Sequence, residues 1–182
     1  KVSDYLVEGN VIGWFQGKME YGPRALCNRS IIGDPRIKEM QKKMNLKIKF
    51  RESFRPFAPV ILEEDKEEYF GIKDESPYML LTRKLNSKFL KNIKSDTKYT
   101  GTDRVNEIRS TLPAITHIDN SCRIQTVSME RNPLFYMLLS KFKEKTGCPV
   151  LINTSFNVRG EPIICTPEDA LRCFSFTNID IL

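Results

Sequence analysis

The sequence predicts an α/β (α+β) fold built on one mixed sheet, and three observations carry that expectation. Short apolar runs of strand length interleave with amphipathic helical patterns along the chain. Three helix starts carry a capping residue followed by proline, at Asp34-Pro35, Asn132-Pro133 and Thr166-Pro167. The 182 residues, 40% hydrophobic and 29% charged, are enough for one sizeable core or two small ones. No domain boundary or internal repeat is visible, so residues 1–182 read as one domain.

Taken in order, Val2, Tyr5 and Leu6 share one face of a first helix, which Gly9-Asn10 stops. No capping residue or initiator Met precedes it, so the expectation is a fragment that begins inside a helix. Val11 to Phe15 reads as a buried strand, and Gln16 to Ser30 as an ordered polar loop of the kind that carries function. Asp34-Pro35 is expected to open a helix with Ile37, Met40 and Met44 inward. Asn132-Pro133 opens another, with Leu134, Phe135, Leu138, Leu139 and Phe142 inward and Gly147 as its stop. Thr166-Pro167 opens a third, with Asp169 completing a capping box. Further strands are expected at 57–62, 78–82, 112–118, 123–127, 149–153 and 161–165. Residues 83–104, rich in Lys, Asn, Ser and Thr, read as a long exposed insertion.

The net charge of +6 favours an anionic partner, and the positive charge is regional. Arg36, Lys38, Lys42, Lys43, Lys47, Lys49, Arg51 and Arg55 face only Glu39 and Glu52 within their stretch, before Glu63-Glu64-Asp65 reverses the sign. No run approaches the roughly 18 apolar residues of a membrane span. Nor does a signal peptide open the chain. The five cysteines form no CxxC pair and His117 is the one histidine, which argues against a zinc site and for reduced thiols in a cytoplasmic setting. His117, between Thr116 and Ile118, reads as a hydrogen-bonded strand residue rather than a base. What remains is positioning plus electrostatic stabilisation by Lys and Arg.

Several segments concentrate anion-binding groups. Gly17 to Ser30 contains Arg24, Asn28 and Arg29 among glycines, but matches neither a P-loop nor a dinucleotide fingerprint. It reads equally as a Gly-Pro turn with surface arginines. Lys49 to Pro59, read as a strand, places Lys49, Arg51 and Ser53 opposite Phe50, Glu52 and Phe54. That pattern suits phosphate with a stacked base, single-stranded nucleic acid, or a merely solvated edge strand. Leu151 to Pro162 ends a buried strand in Asn153-Thr154-Ser155 and turns through Asn157, a good place to orient a small polar substrate or an ordinary Asx turn. Arg123 and Gln125 interrupt apolar neighbours with period two.

GKMEYGPRALCNRSIIGDPR (17–36), KFRESFRPFAP (49–59), RIQTV (123–127) and INTSFNVRGEPI (152–163) together resemble the C-terminal domain of the O-carbamoyltransferase family. That family includes nodulation-factor and antibiotic carbamoyltransferases and is related to the hydrogenase-maturation carbamoyltransferase. The resemblance runs over essentially the whole chain. It implies a YrdC-like twisted mixed sheet flanked by helices, with an N-terminal ASKHA-like domain, absent here, that holds the metal site and chooses the hydroxyl acceptor. It also implies formation of carbamoyladenylate from carbamoyl phosphate and ATP, with Mg. By motif, Lys49, Arg51 and Arg55 would grip phosphates, and Arg123 carbamoyl phosphate or the nucleotide. Asn153, Ser155 and Asn157 would hold substrate and nucleotide, and Arg24, Asn28 and Arg29 belong to the Gly-Pro-Arg-Ala-Leu loop. The catalytic assignments are Lys49, Arg51, Arg123 and Ser155. Cys27 stands where the family usually has Gly, and Ser53 where it usually has Pro. Two other classes stay open: a YrdC-like RNA-binding module, and a non-catalytic scaffold closing over its partner domain.

Overall fold

The computed structural model describes residues 1–91 and 107–182. Helix α1 (Val2–Val7) leads into strands β1 (Ile12–Phe15) and β2 (Arg29–Gly33), then α2 (Met40–Lys47) and β3 (Ala58–Leu62). Helix α3 (Lys66–Phe70) and β4 (Thr82–Lys84) follow, with β5 (Ser121–Arg123) and β6 (Gln125–Val127) later in the chain. The last elements are α4 (Pro133–Thr146), β7 (Val150–Ser155) and α5 (Pro167–Ser175).

The main sheet runs β1-β2-β7-β3-β6, and a two-stranded sheet pairs β4 with β5. Only β3 and β6 pair in parallel within the main sheet; its other neighbours are antiparallel. The mixed α/β class expected from the sequence is therefore the one observed. Strand β7 lies at the centre because Val150, Leu151 and Ile152 are an uninterrupted apolar run, suited to burial on both faces. Its neighbours β2 and β3 are buried along their whole length. Helix α4 packs over β3 and β7 and against α1, while α5 lies against β1. In register, Asn153 sits between Ile32 of β2 and Ala58 of β3, and Ser155 opposite Ser30.

Local chemistry sets most boundaries as expected. The Asn132 side chain accepts the Phe135 N–H at 3.2 Å, and Gly147 ends α4 in the left-handed conformation. Thr166 and Asp169 form the reciprocal capping box of α5. Helix α1 ends before a left-handed Gly9.

Other expectations are corrected. Asp34-Pro35 does not start α2, which begins at Met40. The Asp34 carboxylate accepts the Arg36 N–H at 2.9 Å and the Arg36 guanidinium at 2.7–3.1 Å, so it closes a local turn rather than opening the helix. Leu134 is 49% exposed, because the buried stripe of α4 runs through Phe135, Leu138, Leu139 and Phe142. Residues 112–118 hold a 3-10 turn, Pro113–Ile115, where the Thr116 hydroxyl donates to the Leu112 carbonyl at 2.8 Å and competes with strand pairing. No strand forms at 161–165, since Pro162 lacks the ladder donor. The strand expected at 78–82 shifts to Thr82–Lys84. Residues 123–127 split between the two sheets because Ile124 donates its N–H to the Leu81 carbonyl at 2.9 Å and accepts from the Ser76 hydroxyl. Strand β2, absent from the sequence reading, begins inside the expected loop. Residues 92–104 of the expected insertion lie outside the described residues.

Gly13 is forced by packing. A Cβ there would stand 2.7 Å from the Phe156 ring, the buried aromatic just beyond β7. Gly13→Ala is therefore expected to destabilise the fold by about 1–3 kcal/mol through overpacking. A lower urea midpoint with unchanged slope is the expected reading, and an unaltered midpoint would contradict it.

Candidate functional site

The site is built around Lys49, a lysine only 5% exposed. After α2, the Lys49 N–H caps back on the Met44 carbonyl at 2.9 Å, and Phe50 turns left-handed with φ 48°. This segment is therefore not the expected strand. The predicted alternation nevertheless holds in burial: Lys49, Arg51 and Ser53 turn inward while Phe50, Glu52 and Phe54 stay exposed. The Lys49 ammonium meets Asn157 Oδ1 at 2.7 Å, the Asn157 carbonyl at 3.0 Å, Ser155 Oγ at 3.2 Å and the Ser155 carbonyl. Ser155 Oγ donates to Asn157 Oδ1 at 2.7 Å, and Asn157 Nδ2 to the Glu161 carbonyl at 2.7 Å. Two distant motifs thus meet at one ammonium group.

Arg51 lies beside it, its Nε on Asn45 Oδ1 at 2.6 Å and its guanidinium over the Phe57 ring. Asn45 is fully buried and also donates to the carbonyls of Ser53 and Arg55. Arg123, at the end of β5, has a buried Nε without a hydrogen-bond partner among the described residues. Its Nη2 reaches Met79 Sδ at 3.7 Å. Among the described residues none of Lys49, Arg51, Arg123 and Arg24 forms an ion pair.

These cations act on one another. Burial, and then the charge of Arg51, bring the Lys49 ammonium down to about 7. Burial, Arg55 and Arg123 push Arg51 down, against Glu52. Burial and then Arg24 push Arg123 down. An arginine stays charged under such shifts, so the repulsion persists until an anion arrives. His117, half-buried in a turn rather than a strand, is held low by burial, with Arg123 adding to the effect against Asp119.

The remaining expected residues divide. Asn153, 1% exposed, donates to Gln125 Oε1 at 2.5 Å, the Ala25 carbonyl at 3.1 Å and Cys27 Sγ at 3.6 Å, leaving its own Oδ1 unpartnered. Arg29 is turned into the fold. Its guanidinium is spent on the carbonyls of Gln16, Gly17, Asn28 and Cys165 at 2.7–3.2 Å and stacks on Phe15, so it clamps the loop to the start of α5. Asn28 is likewise tied to Lys18, Gln16 and Asn132. Arg55 is exposed and paired with Glu52 at 3.0 Å. Cys27 takes φ 80°, so it occupies the conformation a glycine would favour, and burial pushes its thiol up.

Sequence reasoning left Asn45, Gln125 and Glu20 out of the site. Asn45 had a signal, a polar residue beside Met44 on the inward part of α2. A cavity of about 760 Å³ opens beside Lys38, Phe54, Glu107 and His117, and neither Lys49 nor Arg123 lines it. The case for the site is therefore its chemistry rather than its volume.

The fold and the cation cluster define a small α/β domain suited to anions. The chain belongs to the carbamoyltransferase C-terminus family, whose model matches residues 3–182. It is 57% identical, over its whole length, to an uncharacterized protein of Synechocystis sp. and covers 30% of that protein. It is 43% identical to nodulation protein NolO of Bradyrhizobium diazoefficiens, over 98% of this chain and 30% of NolO. It is 39% identical to the 3'-hydroxymethylcephem-O-carbamoyltransferase of Amycolatopsis lactamdurans, over 96% of this chain and 30% of that enzyme. The chain thus spans about 30% of the length of these relatives. Full-length HypF, crystallised in a phosphate- and nucleotide-bound form, matches 97% of this chain with a TM-score of 0.58 at 17% identity, using 19% of HypF. That likeness shows a shared fold. Among the described residues no helix is long and apolar enough to cross a membrane.

The lowered Lys49 value has a consequence for stability. Below pH 7 the ammonium is protonated in both folded and unfolded chains, and its burial penalty is fully present. As pH rises above about 7 the folded protein sheds the proton while the unfolded chain keeps it. Stability should therefore increase toward pH 10, by up to about 1.4 kcal/mol per pH unit. Urea midpoints across pH 6.5–9.5 should show this slope in the natural chain and lose it in Lys49→Met. Identical slopes in both would contradict the assignment.

Proposed function

We propose that this domain prepares a carbamoyl group for transfer by forming carbamoyladenylate. Water cleaves carbamoyl phosphate to carbamate and phosphate; a carbamate oxygen then bonds to the α-phosphorus of ATP, and pyrophosphate leaves. Each phosphate lost or transferred carries charge that preorganised cations can stabilise without reorganising. Arg123, Arg51 and Arg24 supply that charge, and Lys49 joins them with Ser155 and Asn157 fixing its position. Asn153 orients the substrate from the sheet floor. Mg accompanies ATP as its ordinary counter-ion.

One observation carries this reading: neighbouring, partly buried cations that repel one another and have no carboxylate partner among the described residues, in a chain of the carbamoyltransferase family. It also favours a small anion over RNA, because a phosphate backbone calls for an exposed basic stripe and Lys49 is buried. The carbamoyl group would pass to a hydroxyl acceptor on an N-terminal domain of the same full-length protein. The relatives' greater length supports such a partner.

The test is pyrophosphate release by the full-length protein given Mg-ATP and carbamoyl phosphate. Arg123→Ala should cut kcat/KM by about two orders of magnitude, the loss seen when one preorganised charge is removed. Arg55→Ala, which removes an exposed and already paired cation, should change it by less than about threefold. Folded protein that neither binds nor turns over either compound would end the proposal. Anion binding at pH 7.5 should also draw roughly half a proton or more onto Lys49. Calorimetry in buffers of different ionisation enthalpy reads that uptake directly.

A further inference from the structure

The loop before β2 is held from inside by one carboxylate. Glu20 Oε1 accepts the N–H groups of Leu26 at 2.6 Å, Asn28 at 2.7 Å and Arg29 at 3.3 Å. These amides curl around Cys27, whose φ of 80° gives the concave backbone that surrounds an anion. The other oxygen, Oε2, is buried and has no partner among the described residues.

What the braced segment presents is the site. Arg24 is the cation whose charge acts on Arg123. The next residue, Ala25, offers its carbonyl to Asn153 Nδ2 at 3.1 Å. Two residues further on, Cys27 Sγ receives Gln125 Nε2 at 3.4 Å and Asn153 Nδ2 at 3.6 Å. The backbone that Glu20 fixes therefore sets the place of Arg24 and the orientation of the Asn153 amide together. Nothing in the sequence reading gave Glu20 a role.

We propose that Glu20 is a positioning residue: through the backbone of Leu26, Asn28 and Arg29 it sets where Arg24 and Asn153 meet the phosphate-bearing substrate. This rests on the carbamoyl phosphate reading for the identity of that substrate, but not for the coupling itself. Because part of the effect of Glu20 runs through Arg24, removing both should cost less than the product of the two single effects.

The experiment is a double-mutant cycle of Glu20→Ala and Arg24→Ala in the full-length protein, with Glu20→Asp and Glu20→Gln beside it. The readouts are KM for carbamoyl phosphate, kcat, thermal midpoint, and affinity for inorganic phosphate. Each alanine variant should raise KM roughly tenfold, and the double variant should fall well short of the roughly hundredfold that independent effects would give. Glu20→Gln, which keeps an acceptor oxygen, should recover most of the loss, and Glu20→Asp, which pulls the charge back by one methylene, only part. Multiplying effects, or a lower thermal midpoint with unchanged KM, would overturn the proposal. If Glu20→Ala does not fold, the ordering of the Gln and Asp variants decides in the same way. If the unsubstituted protein does not turn over carbamoyl phosphate, the proposed function fails; the same cycle on phosphate affinity still tests the coupling, and additivity there overturns it.

Discussion

The buried Lys49 ammonium is the contact on which the site's geometry depends. An ionised amine removed from water is tolerated only where oxygens replace its hydration shell. Here those oxygens come from the end of β7 and the turn after it, through Ser155 and Asn157. Meeting them forces α2 to stop and Phe50 to reverse the chain with a positive φ. That reversal delivers Arg51 to Asn45 and the Phe57 ring. The basic segment and the Asn-Thr-Ser-Phe-Asn motif are thus two halves of one structure, more than a hundred residues apart.

The arrangement holds charge in a costly state. Arg24 lowers the affinity of Arg123 for its proton, Arg123 that of Arg51 and Arg51 that of Lys49, and no carboxylate among the described residues is paired with them. The carboxylates nearby are used differently. Glu52 pairs with exposed Arg55, and Glu20 is turned onto backbone amides. Negative charge is spent on shaping the loops, and the cations are left for whatever anion binds. An incoming phosphate then gains both its own attraction and the relief of their repulsion.

Where sequence and structure agree, the signal was local. The caps at Asn132 and Thr166 needed only neighbouring side chains and backbone amides, and the inward face of α4 needed only its period. Asp34 does accept the N–H two residues on, as a cap would, but the Arg36 side chain folds back onto the same carboxylate and the chain makes a turn there, which spacing does not reveal. The alternation from Lys49 to Phe54 was legible as two faces but not as a turn, since burial follows the side chains and not the element that displays them. Arg29 looked like a ligand for the same reason that Arg123 did. What separates them is tertiary: Arg29 is surrounded by four carbonyl-bearing residues, while the Arg123 Nε has none. Glu20 and Asn45 were invisible as site residues because they act on backbone and on other side chains, not on a ligand.

Strain falls in the same place as charge. The non-glycine residues with positive φ among the described residues are Cys27, Phe50, Met79 and Asn120. Cys27 lies in the loop of Arg24, and Phe50 between Lys49 and Arg51. Met79 carries the sulfur that touches Arg123, and Asn120 is the turn residue before β5, the strand Arg123 ends. Such conformations cost on the order of 1–3 kcal/mol each and persist where the surroundings over-determine them. A fold free to relax would place glycine at these turns. Retaining side chains there keeps Cys27 against the amides of Gln125 and Asn153, and Met79 against an arginine that has little else to hold it. The backbone strain, the unpaired cations and the unpartnered Asn153 oxygen are therefore one feature: a surface held short of its minimum, which a bound anion with a polar head would complete.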